Sequence, residues 1–440
     1  MVAPCTLDRP GFVCKNTAPD WQRVGASAPP PPSPGTLQFS TSSYRVAEGR
    51  RANFPYEDAG SIIITVTRLG DTSGIASVDY ETSNFTASSA SDYVATSGTL
   101  RFAPGEAQKS FTVLITDDTL VEGDERVDLK LRNAVGGNLG GQSFASLTII
   151  DNDAAGTTVN MIDTVEGFVR QQYLDFLNRE PDAAGFEFWK TTFARYLSEC
   201  GTNNTSQAAE CRAQAKARIS EAFFVSVEFQ ETGYLIYRLY RTGFDPQTRE
   251  RALPRYSEFM RDMQAVGRGV IVNADGWKEK LEANTQSFLR EFVERSEFTA
   301  RYPVVMTREQ FVDALFENAG LKETRTAEER DAALAAYGNG GVEGRAQALR
   351  SIATSKRLFL REFNRAFVLM QYFGYLRRNP NDPQDRDYAG YDFWLAKLNA
   401  ESGDTTRFQT IDELLAPTKR AQMVEAFVVT GEYRRRFGPE

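Results

Sequence analysis

Apolar residues follow two different rhythms along this chain. Between Thr36 and Asp153 they fall on alternate positions, most clearly at Ile62, Ile64 and Val66, at Phe111, Val113 and Ile115, at Val127, Leu129 and Leu131, and at Leu147 and Ile149. Successive strand side chains point to opposite faces, so this alternation marks strands with one face in a core and the other in water. The polar positions between them, Arg126, Asp128, Lys130 and Arg132, belong to the wet face. About seven such strands in about 118 residues predict a two-sheet β-sandwich, with the Gly-rich span from Gly137 to Gly141 as a connecting loop.

After Asp153 the spacing turns helical and stays so to Glu440, in a region rich in Arg, Glu, Ala and Phe. An aromatic helix recurs there: Phe168-Val169 with Tyr173 and Leu177, Leu235-Ile236 with Tyr240 and Phe244, Phe311-Val312 with Phe316, and Phe367-Val368 with Tyr372 and Leu376. A second element follows as Phe223-Phe224 with Glu228-Phe229, Phe292-Val293 with Glu297-Phe298, and Phe427-Val428 with Glu432-Tyr433. The period predicts an all-α domain of about four degenerate helical repeats, near 160–230, 231–305, 306–362 and 363–440. The first and last units agree most closely, since Leu177-Asn178-Arg179-Glu180-Pro181-Asp182 and Gly185-Phe186-Glu187-Phe188-Trp189 are echoed by Leu376-Arg377-Arg378-Asn379-Pro380-Asn381-Asp382 and Gly390-Tyr391-Asp392-Phe393-Trp394. Proline stops one helix there, the acidic residue caps the next, and the tryptophan returns to the core.

Ahead of the sandwich, residues 1–35 hold one cysteine couple and the run Ala28-Pro29-Pro30-Pro31-Pro32-Ser33-Pro34-Gly35, a stiff extended spacer. The division expected is therefore 1–35, 36–155 for the sandwich and 156–440 for the helices. Cys5 with Cys14 and Cys200 with Cys211 each close a short polar loop and read as two local disulfides of an oxidising compartment; four reduced, buried thiols are the alternative. The opening residues lack the apolar run of a secretory signal, so the compartment is inferred from the cysteines. No stretch of about twenty apolar residues occurs, which predicts no transmembrane helix.

Composition narrows the chemistry. A net charge of −8 argues against a nucleic-acid partner. The absence of histidine excludes Ser-His-Asp and Cys-His catalysis and His-bearing metal sites. Paired-carboxylate catalysis survives, but with 59 acidic residues a chance pair is easily found.

Those acidic residues gather at strand ends of the sandwich: Glu48, Asp92, Asp117, Asp118, Glu122, Asp151 and Asp153. Asp117 and Asp118 are neighbours, so they can serve one ion only where the strand has given way to loop, and the alternation does stop at Thr116. Crowded carboxylates repel, and calcium answers by accepting about six to eight oxygens in a forgiving geometry. The alternative is a set of solvated turn residues.

The order Val46-Ala47-Glu48-Gly49, Ser91-Asp92-Tyr93, Gly98-Thr99-Leu100-Arg101-Phe102, Gly105-Glu106, Ile115-Thr116-Asp117-Asp118, Glu122-Gly123-Asp124-Glu125 and Asp151-Asn152-Asp153 resembles the Calx-beta domain. The resemblance implies an immunoglobulin-like sandwich with Ca2+ at one end, and Glu48, Asp92, Asp117, Asp118, Glu122, Asp151 and Asp153 as its ligands. It is a single copy, which implies fewer ions or weaker binding than in tandem members. Asp124 and Glu125 read as the acidic start of the next strand rather than as further ligands.

The segment from Leu177 to Trp189, with Glu228-Phe229 later, resembles the bacterial domain of unknown function four-two-one-four, a relative of phycobilisome linker domains. That resemblance implies a secreted or surface location and an assembly role. Trp189 and Trp394 read as fillers between helices before sugar platforms, and Arg179 and Arg378 as partners of nearby Glu or helix ends before anion sites. The expectation is a non-catalytic, calcium-binding extracellular or cell-surface structural protein of a bacterium. Its partner would be another protein or further copies of the chain, with cell-envelope or glycan contact possible; an adhesin or carbohydrate-binding protein is the alternative, and a carboxylate hydrolase ranks below both.

Overall fold

A computed structural model describes residues 35–49, 59–201, 205–244 and 253–439, apart from 384, 386, 403–412 and 414–419. The Cys5–Cys14 couple and the proline run up to Pro34 lie outside the described residues. Among the described residues nine strands precede the helices: β1 Thr36–Phe39, β2 Ser43–Ala47, β3 Ser61–Leu69, β4 Ala76–Asn84, β5 Ser97–Phe102, β6 Gln108–Leu114, β7 Glu125–Val135, β8 Asn138–Leu139 and β9 Phe144–Ile150. They form two sheets, ordered β6-β3-β1-β8 and β2-β9-β7-β4-β5. The N-terminal segment thus serves both sheets: β1 lies antiparallel to β3, while β2 lies parallel to β9 from Ser43 opposite Ser146 to Ala47 opposite Ile150.

The alternation predicts the inner faces well. Ile64, Val66, Val113, Val127, Leu129 and Leu147 are wholly buried, while Arg126 and Arg132 face solvent. Truncating one such core side chain to Ala costs about 2–5 kcal/mol. The span from Gly137 to Gly141 departs from expectation, because Asn138–Leu139 pairs in parallel with β1 instead of looping free. Glycine makes this possible: a β-carbon at Gly137 would lie 2.5 Å from the Gly35 carbonyl, to which the Asn138 N–H donates at 2.8 Å.

From Met161 onward the chain is helical, beginning with Val165–Gln172 and ending with Gly431–Arg434. Side-chain oxygens cap many helix starts, which satisfies N–H groups left without intrahelical partners. Thr164, Thr205, Ser226, Ser355 and Thr430 do so, and Asp182 caps Ala183–Ser198 through Gly185 N–H at 2.8 Å, as its position after Pro181 predicts. Cys200 and Cys211 are joined in a disulfide. Trp189 packs on Phe223 and Trp394 on Phe427, with ring centroids 5.0 and 5.8 Å apart. Among the described residues no helix is long and apolar enough to cross a membrane.

The two halves are joined by a shared core. Val94 and Leu114 of the sandwich belong to the same buried cluster as Phe168, Phe223, Phe367 and Phe437. The two ends of the helical region also meet, since Met161 N–H donates to the Phe437 carbonyl at 3.0 Å and Arg434 pairs with Asp163 at 2.7 Å. Near this closure lies Asp175, a fully buried carboxylate. It accepts from Gln171 at 2.6 Å and from the Tyr433 hydroxyl at 3.0 Å, with Arg377 and Arg436 each 3.8 Å away.

Candidate metal centre

Four loops bring carboxylates to one end of the sandwich. Glu48 follows β2, Asp92 lies in the turn between β4 and β5, Asp117, Asp118 and Glu122 occupy the segment after β6, and Asp151 and Asp153 follow β9. β6 ends at Leu114, and after the single bridge of Ile115 to Tyr93 the backbone is loop, which frees Asp117 and Asp118 from opposite strand faces. Glycine opens the centre, because a β-carbon at Gly49 would fall on the Asp117 carboxylate.

Within this end, Glu48, Asp118 and Glu122 each offer a carboxylate oxygen within 4.8 Å of the others. Glu48, Asp151 and Asp153 form a second such group, and Asp92, Glu122 and Glu125 a third. Glu48 and Glu122 each serve two groups, so these are parts of one array. Asp117 stands in none of the three but lies close enough for its charge to act on Glu48. All seven residues expected from the sequence therefore lie at one end.

Backbone donors fix the array's outline. Asp151 accepts from the N–H groups of Glu122 at 2.8 Å, Gly123 at 2.7 Å and Asp153 at 2.7 Å, tying the two longest acidic loops together. Asp118 accepts from Leu120 N–H and Asp92 from Ser88 N–H, both at 2.6 Å. Gly123 has a φ of +80°, a left-handed turn that glycine adopts without strain.

Electrostatics set this end apart. Glu48 is 5% exposed, and its Oε2 is buried with no hydrogen-bond partner among the described residues. Burial, followed by repulsion from Asp118, Asp153, Asp151 and Asp117, pushes its carboxyl up to about 10. Asp118 is pushed up to about 8 by burial, against the Leu120 hydrogen bond and with the help of Glu122, Asp153 and Asp92. Glu122 is raised by burial and by Asp92, Asp151 and Asp153. An unpartnered buried carboxylate is expensive unless a cation meets it.

Glu125 is at once the acidic start of the next strand, as expected, and a member of the array. It opens β7 and is pushed up to about 8 by burial and by its contact with Asp92. The signal was available: Glu125 shares the phase of Val127, Leu129 and Leu131, all inward-facing, whereas Asp124 has the opposite phase and pairs with Arg45 at the surface, 3.2 Å away. The strand start and the array thus meet at Glu125, while Asp124 lies just before β7 at the surface.

The donor set is all oxygen, crowded and anionic. Those properties suit a hard cation with a high coordination number and leave out the nitrogen and sulfur ligands that zinc prefers. Residues 32–153 match the Calx-beta domain family. The front domain is a Calx-beta domain. Over 101 residues, 23% of this chain and 11% of the relative, it is 39% identical to the sodium/calcium exchanger Calx of Drosophila melanogaster. Sodium/calcium exchanger 1 of Mus musculus is 37% identical over 119 residues, covering 23% of this chain and 12% of that protein. The solved apo-form Calx CBD1 domain is 34% identical, with 27% of this chain and 98% of that one covered and a TM-score of 0.24. The Calx-beta part of the chain thus spans only a small share of the exchangers' length.

Proposed function

We propose that the acidic end of the Calx-beta domain binds calcium, with Glu48, Asp92, Asp117, Asp118, Glu122, Asp151 and Asp153 as ligands and Glu125 as an eighth. The observation that carries this reading is Glu48, a buried carboxylate whose Oε2 has no hydrogen-bond partner among the described residues, set among other carboxylates. Bound calcium would supply the positive charge that turns mutual repulsion into cohesion. The protein's residues, in turn, fix the spacing of the oxygens and exclude water from Glu48. Identity to sodium/calcium exchangers supports the choice of ion.

On this proposal the chain as a whole is a non-catalytic structural protein outside a bacterial cell, a reading that the resemblance of its helical region to secreted domains and its disulfide support. Repetition within the helical region is supported by paired details. Arg179 reaches Glu228 at 2.6 Å and Asp182 at 3.4 Å, and Arg378 reaches Glu432 at 2.7 Å and Asp385 at 2.8 Å. Asn178 and Arg377, the residues just before these arginines, both take left-handed backbone with φ of 51° and 49°. Assembly with a protein partner or with further copies is the role proposed for this region. Adhesion is the second reading, favoured by Phe188 and Phe393, 61% and 62% exposed beside Trp189 and Trp394.

Isothermal titration of the intact chain with calcium tests the main reading. Saturable binding that Glu48→Gln and Asp118→Asn each weaken is expected. No heat of binding at millimolar calcium, or unchanged binding in both variants, would overturn it.

A further inference from the structure

The acidic loops are gripped from outside the sandwich as well as from within. Thr119, between Asp118 and Glu122, donates its hydroxyl to the carbonyl of Val159 at 2.7 Å and to that of Phe437 at 3.2 Å. The first belongs to the segment joining the two domains and the second to the end of the helical region. The fit is close, since a β-carbon at Gly438 would fall on the Thr119 hydroxyl.

Two arginines of the helical region reach the other loops. Arg170 donates to the carbonyls of Ile115 at 2.9 Å and Gly60 at 3.0 Å, and Gly60 N–H in turn donates to Ala47, the residue before Glu48. Glu180 holds the same guanidinium at 2.6 Å. Arg377 donates to the carbonyls of Tyr93 at 3.0 Å and Ser89 at 3.4 Å, on either side of Asp92. Three residues thus tie the loops that carry the array to the helical region and its linker.

We propose that Thr119, Arg170 and Arg377 are positioning residues through which calcium occupancy is coupled to the docking of the helical region, above all of its C-terminal segment. The inference rests on the calcium reading above. Without the ion, carboxylate repulsion pushes the loops apart and works against these hydrogen bonds. With it, the push disappears and the loops hold Val159 and Phe437 more firmly. Linkage makes the effect reciprocal: a helical region that holds the loops together raises calcium affinity by the same factor by which calcium strengthens docking.

Hydrogen exchange on the intact chain, with chelator and then with millimolar calcium, reads this coupling at the amide of Met161, which is bonded to the Phe437 carbonyl, and at that of Phe437. Calcium should slow both by about fivefold or more, the lower end of ordinary coupling between sites. Thr119→Val should lose that response and bind calcium about fivefold more weakly, while Thr119→Ser, which keeps the hydroxyl, should retain both. Calcium binding by the wild-type chain with unchanged exchange at Met161 and Phe437 would overturn the coupling and leave the calcium site standing. A wild-type chain that binds no calcium would remove the site and the coupling together. The wild-type comparison needs no variant, so a poorly folding Thr119→Val does not blunt the test.

Discussion

Replacing Glu48 with Gln should stabilise the ion-free protein and weaken its response to calcium. The wild-type carboxyl, pushed up to about 10 in the folded chain, ionises near 4.5 when unfolded. A group raised in this way contributes its full stability below about pH 4.5 and loses it as pH climbs toward the folded value. At pH 7 the loss spans about 2.5 pH units at about 1.4 kcal/mol each, or about 3.5 kcal/mol as an upper figure. Glutamine has nearly the same shape and no charge to desolvate, and its amide can donate to the surrounding carboxylates. Ion-free Glu48→Gln should therefore exceed wild type by up to about 3.5 kcal/mol at pH 7, with the gap closing near pH 4. Calcium at 100 times its dissociation constant adds about 2.7 kcal/mol to a protein that binds it only when folded. Wild type should show that gain and the variant a much smaller one. Urea unfolding followed by far-ultraviolet circular dichroism, in chelator and in calcium at pH 4 and pH 7, measures all of these differences. A variant less stable than wild type in chelator at pH 7, or an equal calcium gain in both proteins, would refute the reasoning.

Calcium binding should release protons and weaken as pH falls from 8 to 6, because Glu48, Asp118 and Glu125, raised to about 10, 8 and 8, must ionise to serve as ligands. Titration calorimetry in buffers of different ionisation enthalpy counts the protons, and a buffer-independent heat would speak against it. Asp175→Asn should cost about 3–5 kcal/mol in urea unfolding, since it leaves Arg377 and Arg436 buried without their counter-charge; a loss under 1 kcal/mol would mean that their carbonyl partners suffice. Changing Cys200 and Cys211 together to Ser should lower stability by about 3 kcal/mol, the loop-closure value for a bridge of this span, and intact mass before and after reduction should differ at this pair in wild type alone.

Much of this architecture could be read in the chain, and the exceptions have physical causes. Alternation located β3, β6, β7 and β9 because their inner faces are unbroken rows of aliphatic residues. It could not find β8, a two-residue strand without an apolar row, which exists because Gly137 lets the backbone approach Gly35. The acidic residues were legible as a set because strand ends converge at one end of a sandwich. Glu125 was legible as the start of β7, and the inward phase it shares with Val127, Leu129 and Leu131 brings it into the array as well. Pairing of Arg179 with a glutamate was legible, but that the glutamate is Glu228, 49 residues along the chain, was not. The roles of Arg170, Arg377 and Thr119 were not, because their acceptors are backbone carbonyls distant in sequence, and a carbonyl leaves no mark in residue type.

The most direct test is a crystal structure of the intact chain grown in millimolar calcium. The account predicts ion density in the array about 2.3–2.6 Å from Glu48 Oε2, with Asp118 and Glu122 or Asp151 and Asp153 completing the shell. An array with those side chains turned into solvent, and only water where Glu48 Oε2 points, would contradict it.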